Sequence, residues 1–99
     1  MKKEMPITSV AIVCDGGMGS SAMGAALLRR VLREKGITDI KVQAYAGDLV
    51  PESETFLVCQ QDYYSLLPQK EKRKEVVQIK SMTSRDCYLP IADIIAGRR

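Results

Sequence analysis

Apolar and polar residues follow strand-like patterns in four segments of the chain. Residues 7–13 and 55–59 contain unbroken apolar runs, which are typical of strands buried on both faces of a parallel sheet. Residues 40–46 alternate between apolar and polar, which indicates an edge strand with one wetter face. The mainly apolar pattern of residues 76–79 predicts the fourth strand. The polar stretch 47–54 between the second and third strands is interpreted as a loop.

The longest helical pattern covers residues 20–35, with Ser20 or Ser21 suited to cap its start and Gly36 suited to end it. Its apolar residues recur on one face, and they are Met23, Leu27, Leu28, Val31 and Leu32. The opposite face is basic. It is either an ordinary solvated surface or one that steers an acidic partner, and its cations are Arg29, Arg30 and Arg33.

Two further helices complete the pattern. A short helix is predicted over residues 62–67, followed by a charged segment at 70–74 that is interpreted as a solvated turn. The last helix is predicted within 83–96, and Pro90 either kinks or restarts it. Its inward-facing residues are predicted to be Leu89, Ile91, Ile94 and Ile95.

The order of elements, β-α-β-β-α-β-α, predicts an α/β fold in a single domain over residues 1–99. Right-handed crossovers give a four-stranded, mostly parallel sheet in the order 2-1-3-4, with helices on both faces. Strand 1 then lies beside the topological switch point, where open α/β sheets bind ligands at the carboxyl ends of their strands. Cys14 stands at that end of strand 1.

Composition narrows the chemistry. The 99 residues are 45% hydrophobic, which argues against disorder, and the net charge of +3 is too small to indicate nucleic-acid binding. There is no histidine, which excludes an imidazole base or histidine metal ligand from this chain. The three cysteines, Cys14, Cys59 and Cys87, lack zinc-site or CxxC spacing, so free thiols in a reducing cytoplasm are expected, without a metal or cofactor. No apolar run is long enough for a signal peptide or membrane insertion.

The loop after strand 1 carries the candidate chemistry. It reads Cys14, Asp15, Gly16, Gly17, Met18, Gly19, Ser20 and Ser21. Its three glycines allow backbone N–H groups to curl inward, and the following helix N-terminus and serine hydroxyls add donors for an anion of phosphate size. The same positive end of the helix favours the thiolate of Cys14, which is the nucleophilic form. Asp15 suits a turn, with its carboxylate pointing away from a bound anion, and a direct chemical role is the alternative.

Three rival motifs fit this loop less well. Gly19 and Gly24 have the spacing of a Walker A loop, G-x4-G-K-[ST], but that motif requires lysine at the next position, where this chain has Ala25. The dinucleotide pattern G-x-G-x-x-A is met from Gly17, but no acidic residue stands convincingly after strand 2 and the chain is only about half a dinucleotide fold. The tyrosine-phosphatase loop C-x5-R places arginine where this chain has Ser20, so hydrolysis would lack its transition-state cation.

Residues 13–25, Val-Cys-Asp-Gly-Gly-Met-Gly-Ser-Ser-Ala-Met-Gly-Ala, resemble the phosphocysteine loop of the enzyme IIB components of the bacterial phosphoenolpyruvate–sugar phosphotransferase system. The mannitol-type branch is most similar, within a group that also includes the lactose type. The resemblance implies a Rossmann-like fold similar to low-molecular-weight tyrosine phosphatases. It also implies that Cys14 accepts a phosphoryl group from a phosphohistidine of enzyme IIA and passes it to a sugar or sugar alcohol held by the membrane enzyme IIC.

Two positions depart from the mannitol-type pattern. Gly16 replaces an alanine, and Gln60-Gln61-Asp62 stands where that branch has a His-Arg-Asp-like segment close to the loop. The alternatives to a phosphocarrier are a non-catalytic regulatory or sensor module and a cysteine phosphatase.

The sequence also predicts where four further side chains lie in the fold. Cys59 is expected in the core, with a disulfide to Cys14 under oxidation as the alternative, and Cys87 is expected to pack in the last helix. Tyr63 and Tyr64 are expected to divide between the core and the rim of the site.

Overall fold

A computed structural model describes residues 7–14 and 18–98. Within them, the strands are β1 (Ser9–Cys14), β2 (Lys41–Ala46), β3 (Phe56–Gln60) and β4 (Glu75–Ile79). The helices are α1 (Met18–Glu34), α2 (Gln69–Lys72) and α3 (Arg85–Gly97), and a 3-10 turn covers Tyr64–Leu66. All three strand pairings are parallel, in the order β2-β1-β3-β4, which confirms the predicted sheet.

One face of the sheet is covered by the two long helices, α1 and α3, which also pack against each other. Side chains alternate along a strand, so every second residue of the inner strands faces these helices. The helical face therefore contains the larger core cluster, whose strand members include Val10, Ile12, Val42, Phe56 and Val58. Tyr88, from α3, is the largest of its fully buried side chains.

The opposite face, which we call the loop face, has a thinner cover. Its buried cluster joins β1 and β3 to Val50 and Leu67, with Tyr45, Tyr63 and Tyr64 packed around it. The predicted helices on both faces are therefore present but unequal, because the described residues that cover the loop face form the 3-10 turn, the short α2 and the loop at 47–55. Glu54 in that loop is buried, and its carboxylate accepts hydrogen bonds from Ser9 Oγ at 2.7 Å and Tyr45 Oη at 3.2 Å.

Helix α1 begins two residues before the predicted start and ends at Glu34, one residue before the predicted end, with Gly36 terminating it as predicted. Gly36 has φ of 79°, a left-handed conformation that favours glycine. The N–H groups of Gly36 and Ile37 donate to the carbonyls of Arg33 and Leu32 at 3.0 and 2.9 Å. These two bonds form a Schellman cap, which satisfies carbonyls that the end of the helix leaves without partners.

Two apolar positions predicted to face inward are exposed instead. Met23 is 53% exposed on α1, and Ile94 is 39% exposed on α3. The buried face of α3 consists instead of Tyr88, Ile91, Ala92 and Ile95. Pro90 lies inside α3 on its exposed side, so the helix continues past it.

The segment after β3 differs from its prediction. In place of one helix over 62–67, the chain forms a 3-10 turn and then α2, which occupies part of the predicted solvated turn. Glu71 in α2 is fully buried, and Lys74 Nζ lies 2.7 Å from its Oε1. Lys74 also donates to the carbonyl of Pro51 at 3.1 Å, which ties α2 to the loop at 47–55. A buried carboxylate needs such a partner, since an uncompensated charge is costly inside a protein.

The described helices include none that is both long and apolar enough to cross a membrane.

Candidate functional site

Cys14 is the last residue of β1, at the carboxyl end of an inner strand. Its neighbours β2 and β3 also end here, and the side chain faces α1 because Val13 faces the other way. The Cys14 side chain is nearly buried and lines an open cleft of about 220 Å³. The position agrees with the predicted switch-point site.

Ser21 meets the thiol directly. The Cys14 Sγ–H donates to Ser21 Oγ at 3.0 Å, and Ser21 is fully buried. Ser20, one residue earlier, is exposed and lines the cleft. A hydroxyl can donate as well as accept, so Ser21 is able to turn its hydrogen toward the sulfur when the thiol loses its proton.

The predicted phosphate loop is only partly within the described residues. Asp15, Gly16 and Gly17 lie outside them. Met18 begins α1, and Gly19 is its second residue. Because α1 begins at Met18, Ser20 and Ser21 lie in its first turn, so the prediction that one of them caps the helix is wrong. The first turn of a helix carries N–H groups without helical partners, which favours an anion beside it.

The far wall of the cleft comes from the ends of β3 and β4. Its lining residues are Gln60, Asp62, Tyr63 and Met82. Gln60 Nε2 donates to Asp62 Oδ1 at 3.1 Å, and the Met82 N–H donates to Gln60 Oε1 at 3.4 Å. Asp62 is the one charged side chain among the described residues that line the cleft. A bound phosphoryl group would therefore meet neutral donors and one carboxylate on this wall.

Gly47 holds the backbone of Cys14, and Tyr63 packs against Gly47. The Gly47 N–H donates to the Cys14 carbonyl at 2.9 Å. A Cβ at Gly47 would overlap the Tyr63 hydroxyl, so this glycine leaves the space that the tyrosine ring occupies. Tyr63 lines the cleft, as predicted for a residue at the rim of the site, whereas Tyr64 packs against the loop-face cluster and does not line the cleft.

Met82 is a site residue that the sequence patterns did not indicate. It follows β4 in a short turn, and its carbonyl accepts a 2.6 Å hydrogen bond from the buried Tyr88 hydroxyl. Tyr88 thus links α3 to the wall of the cleft. The signal in the sequence was the position of Met82 three residues after β4, because all strands of a parallel sheet deliver their following turns to one edge.

Cys59 and Cys87 take no part in the cleft lining. Cys59 is fully buried, as expected, and burial raises the pKa of its thiol to about 11. It faces the loop face, where it pairs in register with Val13, so its side chain points away from that of Cys14. A Cys14–Cys59 disulfide would have to pass through the sheet, and all three cysteines are present as thiols. Cys87 packs in α3 as expected.

The fold and the site together define a class: small parallel α/β domains that present a cysteine between the end of the first strand and the first turn of the following helix. The sequence profile of the family described as "PTS system, Lactose/Cellobiose specific IIB subunit" matches residues 9–95. The chain belongs to this family of IIB subunits of the sugar phosphotransferase system.

Its relatives include larger proteins of the same system. The mannitol-specific EIICB component of Staphylococcus aureus (strain COL) is 43% identical over 54 residues, which cover 54% of this chain and 10% of that protein. The mannitol-specific EIICB component of Mycoplasma pneumoniae is 32% identical over 97 residues, or 97% of this chain and 20% of that protein. The chain therefore spans between a tenth and a fifth of the length of these relatives.

A solved structure has the same fold. The lactose-specific IIB component domain of Streptococcus pneumoniae superposes with a TM-score of 0.63 over 93% of this chain and 97% of that one. Sequence identity between the two is 13%, so this comparison bears on the fold alone.

Proposed function

We propose that this chain is a single-domain phosphocarrier in which Cys14 receives a phosphoryl group from a phosphohistidine of enzyme IIA. The carrying observation is the contact between Cys14 Sγ and the buried Ser21 hydroxyl, at the mouth of a cleft beside the first turn of α1. That arrangement combines a nucleophile with donors for the oxygens of the group that it attacks. The predicted phosphate-binding loop, residues 15–21, belongs to this proposal as a whole.

The proposed first step is an in-line displacement at phosphorus. The sulfur of Cys14 attacks, the S–P bond forms, and the bond between phosphorus and the imidazole nitrogen of enzyme IIA breaks. The proton that the thiol gives up ends on the departing imidazole, so the donor leaves as a neutral histidine. In this proposal, Ser20, Ser21 and the first N–H groups of α1 hold the phosphoryl oxygens, which is supported by the Cys14–Ser21 contact and by Ser20 in the cleft lining.

The proposed second step reverses the role of the sulfur. A hydroxyl of a sugar or sugar alcohol held by enzyme IIC attacks the phosphorus, a P–O bond forms and the S–P bond breaks. The hydroxyl proton is returned to the thiolate. A sugar alcohol of the mannitol kind is the favoured acceptor, because the relatives from Staphylococcus aureus and Mycoplasma pneumoniae are named mannitol-specific. Their description as EIICB components supports IIC as the partner.

Intact mass spectrometry tests the first step. The chain is incubated with phosphoenolpyruvate, the general phosphotransferase proteins and a mannitol-type enzyme IIA. We expect one added phosphoryl group in the wild type and in Cys59→Ser, and none in Cys14→Ser. Failure of the wild type to take up phosphate from either a mannitol-type or a lactose-type IIA would contradict the proposal and favour a regulatory module.

A cysteine phosphatase is the weaker alternative. The described lining of the cleft holds no arginine or lysine to stabilise the transition state of hydrolysis. We therefore expect no turnover of p-nitrophenyl phosphate, and sustained release of p-nitrophenol that is lost in Cys14→Ser would favour the phosphatase.

A further inference from the structure

Gln60 stands beside Cys14 on the β3 side of β1, as Ala46 does on the β2 side. Val13 of β1 is in register with Cys59 of β3, so the next pair along these parallel strands is Cys14 beside Gln60. Val13 and Cys59 both face the loop face, and both following residues therefore point to the helical face. Cys14 and Gln60 accordingly line the same cleft.

The Gln60 amide has a defined orientation. Its carbonyl oxygen accepts from the Met82 N–H at 3.4 Å, and its NH2 group donates to Asp62 Oδ1 at 3.1 Å. A backbone N–H can only donate and a carboxylate can only accept, so the two contacts settle which end of the amide is which. The NH2 group is therefore the end that lies toward Asp62.

A phosphoryl group on Cys14 would bring about two negative charges into this cleft at neutral pH. Asp62 is the one charged residue among the described members of the lining, and its charge has the same sign. The amide NH2 group carries two N–H donors, of which Asp62 accepts one. A neutral donor in the same cleft as the sulfur is thus available to face the phosphoryl oxygens while it also holds the carboxylate.

Resting on the function proposed above, we propose that Gln60 is a phosphoryl-binding residue that donates its second N–H to an oxygen of the group on Cys14 and holds Asp62 away from it. Because the donor is uncharged, it steadies the phosphoryl group without holding it as strongly as a guanidinium would. A carrier benefits from that balance, since it must release the group again to an acceptor.

The test measures the equilibrium between phosphorylated enzyme IIA and this chain, by intact mass at several IIA ratios. Gln60→Glu keeps the size and the acceptor for Met82 but replaces the NH2 donor with a negative charge. Gln61→Glu is the matched control, because Gln61 is the exposed neighbour and makes the same change in charge. Gln60→Arg supplies a charged donor at the same place.

We expect Gln60→Glu to lower the equilibrium constant for phosphoryl uptake by roughly 10- to 100-fold, the effect of losing one donor to a charged group. Gln61→Glu should remain within about twofold of the wild type. Gln60→Arg should shift the equilibrium toward the phosphorylated chain and slow the return of phosphate to IIA. An introduced guanidinium attracts the phosphoryl group whatever Gln60 itself does, so Gln60→Arg tests whether position 60 reaches that group, and the comparison of Gln60→Glu with Gln61→Glu tests the donor.

Two failures are distinguishable. If the wild type is phosphorylated on Cys14 and Gln60→Glu and Gln61→Glu behave alike, the role of Gln60 is overturned and the phosphocarrier stands. If the wild type takes up no phosphoryl group, the phosphocarrier is overturned and the role of Gln60 with it. Far-ultraviolet circular dichroism verifies that each variant is folded, and Gln60→Met, a neutral variant of similar length without donors, replaces Gln60→Glu if that chain does not fold.

Discussion

The two faces of the sheet each hold a cysteine on neighbouring inner strands, but they surround it differently. On the helical face, Cys14 contacts the Ser21 hydroxyl and lines the cleft. On the loop face, Cys59 lies in an apolar cluster with Ala11, Val13 and Leu57, and burial raises its pKa to about 11. A cysteine is thus placed for chemistry on the helical face and for packing on the loop face, and the residues around each thiol determine which role it has.

Thiol alkylation should show the largest contrast between the two faces. At pH 8, a pKa of about 11 leaves about one Cys59 thiol in a thousand as thiolate, and the side chain has no exposed surface. We expect iodoacetamide to modify Cys14 at least about 100-fold faster than Cys59 in the native protein. Peptide mapping by mass spectrometry over time, in a Cys87→Ser background, measures both rates.

Unfolding provides the control for this contrast. In urea, where the chain is unfolded, Cys14 and Cys59 should react at rates within a few fold of each other, because both lose their surroundings. Equal rates in the native protein would mean that the two faces do not differ in the way the structure indicates.

The packing of α1 against α3 on the helical face can be disrupted at Gly24. A Cβ at Gly24 would overlap the buried Tyr88 hydroxyl and press on the Met82 carbonyl at 3.2 Å. We expect Gly24→Ala to lower the free energy of unfolding by about 1–3 kcal/mol, the usual cost of overpacking a core. Urea denaturation measures it.

Gly97→Ala is the matched control for this substitution. Gly97 also lies in a helix, but a Cβ there meets nothing within 4 Å. Its free energy of unfolding should change by no more than about 0.5 kcal/mol. A loss in Gly97→Ala as large as that in Gly24→Ala would show that crowding against Tyr88 is not the cause.

Removing the Tyr88 hydroxyl should have a smaller effect. Tyr88→Phe removes the hydroxyl that donates to the buried Met82 carbonyl at 2.6 Å, which should lower the free energy of unfolding by about 1–2 kcal/mol. The hydroxyl is also the group that crowds Gly24, so the double variant with Gly24→Ala should lose less stability than the two single losses added together. Tyr64→Phe, on the loop face, is the control and should change the free energy of unfolding by less than about 0.5 kcal/mol.

The fold and the position of Cys14 were predictable because they follow from strong local patterns. The unbroken apolar runs of β1 and β3 identified the inner strands, and the sheet order then placed Cys14 at the switch point. Gly36 ended α1 as predicted, since only a residue tolerant of positive φ fits that cap.

What could not be predicted depends on contacts that are remote in sequence. Glu71 looked solvated because its neighbours in the chain are charged, yet Lys74 and the packing of α2 beneath β4 allow it to be buried. Met23 and Ile94 have the helical spacing of core residues, but the partner surface does not extend to them. The contact of Met82 with Tyr88 likewise depends on how α3 packs over the sheet.

The smallest predicted effect is a pH dependence that belongs to the loop face. An unfolded thiol of Cys59 titrates near 9.0 and the folded one near 11, so the folded chain holds the proton more tightly between these values. The contribution of Cys59 to stability is therefore complete below about pH 9 and is lost as the pH rises toward 11.

Burial also raises the pKa of Tyr88, and this adds a similar loss above pH 10 in every variant that keeps Tyr88. We expect the free energy of unfolding to fall less steeply between pH 9 and 11 in Cys59→Ala than in the wild type. Identical slopes in Cys59→Ala and the wild type would mean that the Cys59 thiol is no more protected from ionisation in the folded chain than in the unfolded one.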